Sequence, residues 1–251
     1  MSRNIIFYNQ KGGVGKTTVT ANLGSALASK GYRVLLIDFD AQVNLTHSVS
    51  GDSKRSNIYD VITGQVDVNE AIQATIFENL YLIPGSLNMA GLAIELVEQE
   101  NRDSFLKNSI SKIESSFDFI LLDCPPSLGL ETVNALAWCK EVIIPLQCEY
   151  LSMEGLNLIM RTITNIKKTS NPNISILGIL FTMYSKRAKL NQEVVDDISY
   201  YFPNLVFKTI IPRTTRLAEA PSHGLPINYY EKSSNGAKAF NELAEEVISR
   251  G

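Results

Sequence analysis

The stretch Asn9–Thr18 reads NQKGGVGKTT and carries two lysines, Lys11 and Lys16, where a phosphate-binding loop needs one. Glycines at 12, 13 and 15 free the backbone to turn N–H groups inward around phosphate oxygens, an approach that a Cβ would obstruct. Lys16 is spaced to reach terminal phosphates, and the Thr17 hydroxyl can ligate magnesium at the start of a helix whose dipole favours anions. Val14 and Thr18 complete the loop. The strict pattern GxxxxGK[ST] asks for glycine at position 10, where the chain has Gln10. The loop is a variant of the motif, and its setting separates it from an ordinary tight turn. The apolar run Asn4–Asn9 precedes it, and Thr17–Lys30 follows with Val19, Leu23, Ala26 and Leu27 at helical spacing until Gly31 stops the helix.

The same alternation continues outward. RVLLIDFD (Arg33–Asp40) is a buried strand ending in acids, and FDFILLDCPP (Phe117–Pro126) repeats the design. Further strands are expected at Leu80–Pro84, Glu141–Gln147, Ile174–Thr182 and Val206–Pro212. Helical patterns lie at Arg102–Ser115, Leu130–Cys139, Ser152–Lys168, Leu190–Phe202 and Asn235–Arg250. Continuous apolar strands between amphipathic helices predict an α/β fold, a mostly parallel sheet covered by helices on both faces. No repeat, linker or composition break divides residues 1–251, so one P-loop NTPase domain is expected. In such a sheet ligands sit at the carboxyl ends of the strands, where the unusual residues fall.

Composition narrows the function classes. Hydrophobic residues make up 45% and charged residues 20%, the balance of a globular chain. No apolar stretch is long enough to cross a bilayer, and MSRNIIFYN is too short for a signal peptide, so a cytoplasmic protein is expected. Cys124, Cys139 and Cys148 form no CxxC pair and lie in apolar segments, which reads as small buried hydrophobes. A net charge of −3 gives no global attraction to nucleic acid, so any such binding needs a local patch.

Asp38, Asp40 and Asp123 stand at the ends of two apolar strands, in a chain that also carries a phosphate loop. Singly, each would read as a cap or solvated turn. Together they are candidates for the magnesium and water side of a site, and Asp123, after FILL, fits the second acid of a P-loop nucleotidase.

KGGVGKTT, followed by DFDAQVNLT, LLDCPPS, PLQCEYLSMEGL and IIPRTTRLAEAPSHGLPI, resembles the ParA/Soj branch of the deviant-Walker ATPases, relatives of MinD, over nearly the whole chain. The resemblance implies ATP and Mg2+ as ligands and an ATP-sandwiched homodimer. Lys11 is then the signature lysine that reaches the partner's nucleotide; a cation inserted from each side offsets the repulsion between facing triphosphates. It further implies Asp40 at the attacking water, Asp38, Asp123 and Thr17 around magnesium, Met183 and Pro212 at adenine, and Glu149 at the ribose or the partner's Lys11. One departure stands out: the usual DxDPQGN is DFDAQVN, with Ala41 for proline and Val43 for glycine.

Lys186, Arg187 and Lys189 follow one expected strand, and Arg213 and Arg216 another. Alone, such charges form a solvated rim. The resemblance implies non-specific DNA contacts at Arg187 and Arg216, within a stripe that includes Lys186 and Lys189. The first strand begins almost at Met1, so no N-terminal helix-turn-helix module is expected. The acidic tail FNELAEEVISRG argues against an anionic bilayer as partner. The implied function is an ATPase that binds DNA as an ATP dimer, is reset by a ParB-type protein, and partitions a chromosome or plasmid at the nucleoid. A MinD-like membrane switch and a metabolic enzyme on the same fold remain as alternatives.

Overall fold

Among the described residues seven strands form one sheet, all but the third built on apolar runs: β1 (Arg3–Phe7), β2 (Val34–Asp38), β3 (Gln73–Ala74), β4 (Leu80–Ile83), β5 (Phe119–Asp123), β6 (Glu141–Gln147) and β7 (Ser175–Thr182). The computed structural model describes residues 2–96, 99 and 102–251. The sheet order is β3-β4-β2-β5-β1-β6-β7, and only the β3–β4 pairing is antiparallel. β3 escaped sequence reading because a two-residue strand is too short to show a period.

Alternation along the central strands divides the core. Ile5, Phe7, Leu36 and Leu121 face the helix α1 (Lys16–Ala28) and the helix Asn235–Ser249, with Leu23, Leu27, Phe240 and Leu243 packed among them. Ile6, Tyr8, Leu35, Ile37 and Leu122 face the helices Leu130–Trp138 and Ser152–Thr169 through Leu136, Leu156 and Ile159. Helices on both faces of a parallel sheet explain why the central strands are apolar without interruption. α1 lies close to the sheet: a Cβ on Gly24 would come 2.6 Å from Cδ2 of Leu36.

The chain leaves β1, passes through α1 and returns in β2, beyond β5; it leaves β5 and returns in β6, on the other side of β1. The strand order therefore reverses around β1, which opens a crevice at its carboxyl end. Register aligns the residues there, with Phe7 paired to Asp123 and Asp123 to Asp38.

Two expected elements differ. Arg102–Ser115 resolves into an α-helix, Phe105–Ile110, and a 3-10 segment, Ser111–Ser116. Val206–Pro212 is not a strand and makes only the isolated bridges Ile179–Val206 and Tyr184–Pro212. The physical reason is competition for its donors. The Glu246 carboxylate accepts the N–H groups of Lys208 (2.8 Å) and Thr209 (3.0 Å), and Pro212 has none to give.

Candidate active site

The phosphate loop spans the turn from β1 to α1. Gly13 and Gly15 have φ of +75° and +91°, in the left-handed region that favours glycine. Gly15 is also the N-cap of α1 and supplies no side-chain cap, so the first N–H groups of the helix are left for an anion. Asn9, unassigned in the sequence, braces the loop: its Oδ1 accepts the Lys11 N–H at 2.9 Å and its Nδ2 donates to the Pro145 carbonyl at 2.8 Å. On the far side Thr182 Oγ1 donates to the Val14 carbonyl at 2.8 Å.

The two lysines sit in contrasting environments. Lys16 is buried, and its Nζ donates to the carbonyls of Asn9 (2.9 Å) and Lys11 (3.3 Å) across the loop. Burial lowers its pKa, opposed by the charge of Asp123. Lys11 is half-exposed and pairs with the equally exposed Glu149 of the same chain. In this structure, then, Glu149 meets its own Lys11.

The acids divide in the same way. Asp123 is fully buried; its Oδ2 accepts the Thr17 hydroxyl at 2.6 Å, while Oδ1 has no hydrogen-bond partner. Burial, with the nearby charge of Asp38, pushes its pKa well up. Asp38 is buried as well, but its Oδ2 accepts both the backbone N–H (2.8 Å) and the hydroxyl (2.7 Å) of Thr46. Asp40 lies beyond the end of β2, and its Oδ1 accepts the Gln42 N–H at 3.0 Å. Among the described residues no three His, Cys, Asp or Glu side chains converge into a cage for a metal ion. A buried carboxylate with one orphaned oxygen beside a threonine hydroxyl suits magnesium, which is held by one or two protein oxygens and completes its shell with phosphate and water.

Beside α1 opens a cavity of about 490 Å³, lined by Gly15, Thr18, Met183, Ile211, Pro212 and Leu217 among others. The expected residues Met183 and Pro212 thus come together with the loop. Met183 takes a left-handed φ of 52°, and the Tyr184–Pro212 bridge draws the two segments of the wall together.

The basic residues are not equivalent. Lys186 and Arg187 are exposed, and Lys189 pairs with Glu193 at 3.5 Å. Arg216 is held between Glu219 (3.0 Å) and Glu231 (2.9 Å). Its charge is therefore largely offset within the chain. The apolar face of the helix Asn235–Ser249 is consumed in the core through Phe240, Leu243 and Val247, and no described helix is long and apolar enough to cross a membrane.

A glycine loop entering a helix at the strand-order reversal, with a buried acid on the neighbouring strand, defines a P-loop protein of the doubly wound α/β class. The AAA domain family matches residues 2–176. The chromosome-partitioning ATPase Soj of Treponema pallidum (strain Nichols) is 46% identical over 250 residues, covering 100% of this chain and 98% of the relative. The sporulation initiation inhibitor protein Soj of Bacillus subtilis (strain 168) is 44% identical over 253 residues, covering 100% of each. The chain belongs to the Soj/ParA family of partitioning ATPases. Among solved structures, a cobyrinic acid a,c-diamide synthase from Mycobacterium smegmatis with bound ATP analog and magnesium superposes with a TM-score of 0.87. It is 35% identical, covering 99% of this chain and 94% of that one.

Proposed function

We propose that the chain hydrolyses ATP with Mg2+, pairs with a second copy when ATP is bound, binds DNA non-specifically in that state and is reset by a ParB-type partner. The observation that carries the reading is the juxtaposition of buried Lys16, the Thr17–Asp123 pair and an exposed second lysine on one glycine loop. The relatives named Soj support the partitioning role, and on this reading that work lies in the cytoplasm, at the nucleoid.

Gly12 to Thr18 would cradle the phosphates, with N–H groups of the loop and of the α1 N-terminus as donors. Lys16 needs only to exchange two carbonyl partners for phosphate oxygens, so its charge is delivered without recruitment from solvent. Thr17 Oγ and the free oxygen of Asp123 would hold magnesium, which supplies charge neutralisation on the β- and γ-phosphates. Asp38, occupied by Thr46, is left to shape the loop rather than to ligate. Asp40 orients the attacking water with the oxygen not engaged by Gln42. Met183 and Pro212 wall the adenine site.

Dimerisation requires Lys11 to leave Glu149 for the partner's phosphates. That exchange is inexpensive, because an exposed ion pair contributes only ~0–1 kcal/mol. Arg187, with Lys186 and Lys189, supplies the charge for phosphate contacts, which need no base reading.

The test is DNA binding by fluorescence anisotropy on two unrelated duplexes, with parallel sizing chromatography, for the purified chain without nucleotide, with ADP and with a non-hydrolysable ATP. Dimer and DNA affinity should appear together only with the ATP form. DNA binding that ignores the nucleotide would contradict the proposal.

A further inference from the structure

The contact that occupies Asp38 reaches further than one pair of residues. Asp38 ends β2, Thr46 lies within the short helix Asn44–Ser48, and Gly85 follows β4. Segments far apart in sequence meet at one hydroxyl. Thr46 is wholly buried; its backbone N–H and Oγ1 both donate to Asp38 Oδ2, at 2.8 and 2.7 Å, and Oγ1 accepts the Gly85 N–H at 3.0 Å. The fit leaves no slack, since a Cβ on Gly85 would stand 2.9 Å from Asp38 Cγ. The one hydroxyl oxygen both donates to the carboxylate and accepts from the amide, which the isosteric valine cannot do.

The loop carrying Asp40 is suspended between the two ends that this contact ties. It is short and tightly turned, with Val43 N–H donating to the Asp40 carbonyl at 3.0 Å. Val43 holds φ 57° and ψ 24°, a left-handed conformation that a β-branched side chain adopts only when its surroundings impose it. The ties at both ends of the loop and the Val43–Asp40 turn bond are constraints of that kind. We infer that Thr46 is a positioning residue for hydrolysis: through Asp38 and Gly85 it holds the loop so that the Asp40 carboxylate keeps its place at the attacking water. The inference rests on the ATPase reading above.

The experiment compares wild type, Thr46→Val and Thr46→Ser in steady-state Mg-ATP hydrolysis with duplex DNA present, alongside nucleotide affinity by calorimetry with a non-hydrolysable ATP. Loss of positioning should lower kcat of Thr46→Val by about 10- to 100-fold, the scale expected when a catalytic group drifts by ~1 Å, while affinity stays within about threefold. Thr46→Ser, which keeps the hydroxyl, should return kcat to within about threefold of wild type. Should Thr46→Val fail to fold, Gly85→Ala presses on the same carboxylate and is expected to show the same kcat-selective loss. Unchanged kcat in an active background, or affinity falling in step with kcat, would overturn the brace alone. A wild type that binds but never hydrolyses ATP would overturn the functional reading and the brace with it.

Discussion

Replacing Asp38 by asparagine isolates what the site costs the fold. Burial, offset in part by hydrogen bonds from Thr46 and Asp40, raises the Asp38 pKa from 3.8 to about 6. An acid whose pKa is higher in the folded state binds more protons there, so stability is greatest below the unfolded value and falls as pH rises through the folded one. At about 1.4 kcal/mol per pH unit, the rise from 3.8 to about 6 removes about 3 kcal/mol by pH 8. Asparagine carries no charge to desolvate and keeps an oxygen for Thr46. Its amide, however, faces the Asp40 N–H that now donates to Oδ1 at 3.4 Å, a clash of donors worth about 1 kcal/mol. Asp38→Asn should therefore be more stable than wild type by about 2 kcal/mol at pH 8 and slightly less stable at pH 4, where the folded carboxyl is neutral, the unfolded one is only partly ionised, and ~0.5 kcal/mol of the charge penalty is left to set against the clash. The assay is urea denaturation from pH 4 to 8 without nucleotide and with chelator, followed by the fluorescence of Trp138, the single tryptophan, which is buried. Taking variant minus wild type cancels the distant carboxylates common to both, while Asp123, whose pKa the Asp38 charge helps to raise, is relieved in the variant and shifts the difference in the same direction. A pH-independent offset, or a variant no more stable at pH 8, would refute the account of Asp38 as a buried charge held for function.

Lys16→Ala should abolish detectable ATP binding in calorimetry, because the loop loses its one buried cation. Lys11→Ala should instead bind nucleotide as well as wild type yet stay monomeric on a sizing column with ATP, and a full dimer would end the two-lysine reading. Arg187→Ala in both copies should make the slope of log DNA affinity against log salt shallower by about 1.8, at ~0.9 per lost phosphate contact, in an anisotropy titration. Arg216→Ala should change that slope less, since Glu219 and Glu231 already engage the guanidinium; equal effects would show that both pairs open on DNA. Gly178→Ala should lower stability by about 1–3 kcal/mol in urea, because its Cβ would fall 2.5 Å from Phe207 and 2.8 Å from the Leu205 carbonyl. An unchanged midpoint would mean that the Leu205–Phe207 segment yields.

The sequence by itself determined the phosphate loop, the strands around it and the acids at their ends. These features are written in local spacing, as glycines within a few residues of a lysine and threonine, or as apolar runs that a strand or helix must bury. Even the alignment of Asp38 with Asp123 follows once the two similar strands lie side by side. Tertiary structure decided how those residues are used. Asp38 and Asp123 look alike in the chain, each closing an apolar run, yet one is claimed by Thr46 and the other keeps a free oxygen beside Thr17. Thr46 and Gly85 gave no signal, because an isolated threonine and glycine acquire meaning only when β2 and β4 bring them to the same carboxylate. Arg216 read as one cation in a basic stripe until the fold brought Glu231 against it, and Val206–Pro212 read as a strand until Glu246 took its donors. Hydrophobic period reports which way a side chain faces along its own element. The partner that a polar group finds is set by packing between elements distant in sequence, and a buried hydrogen-bonding group settles on whichever partner that packing delivers.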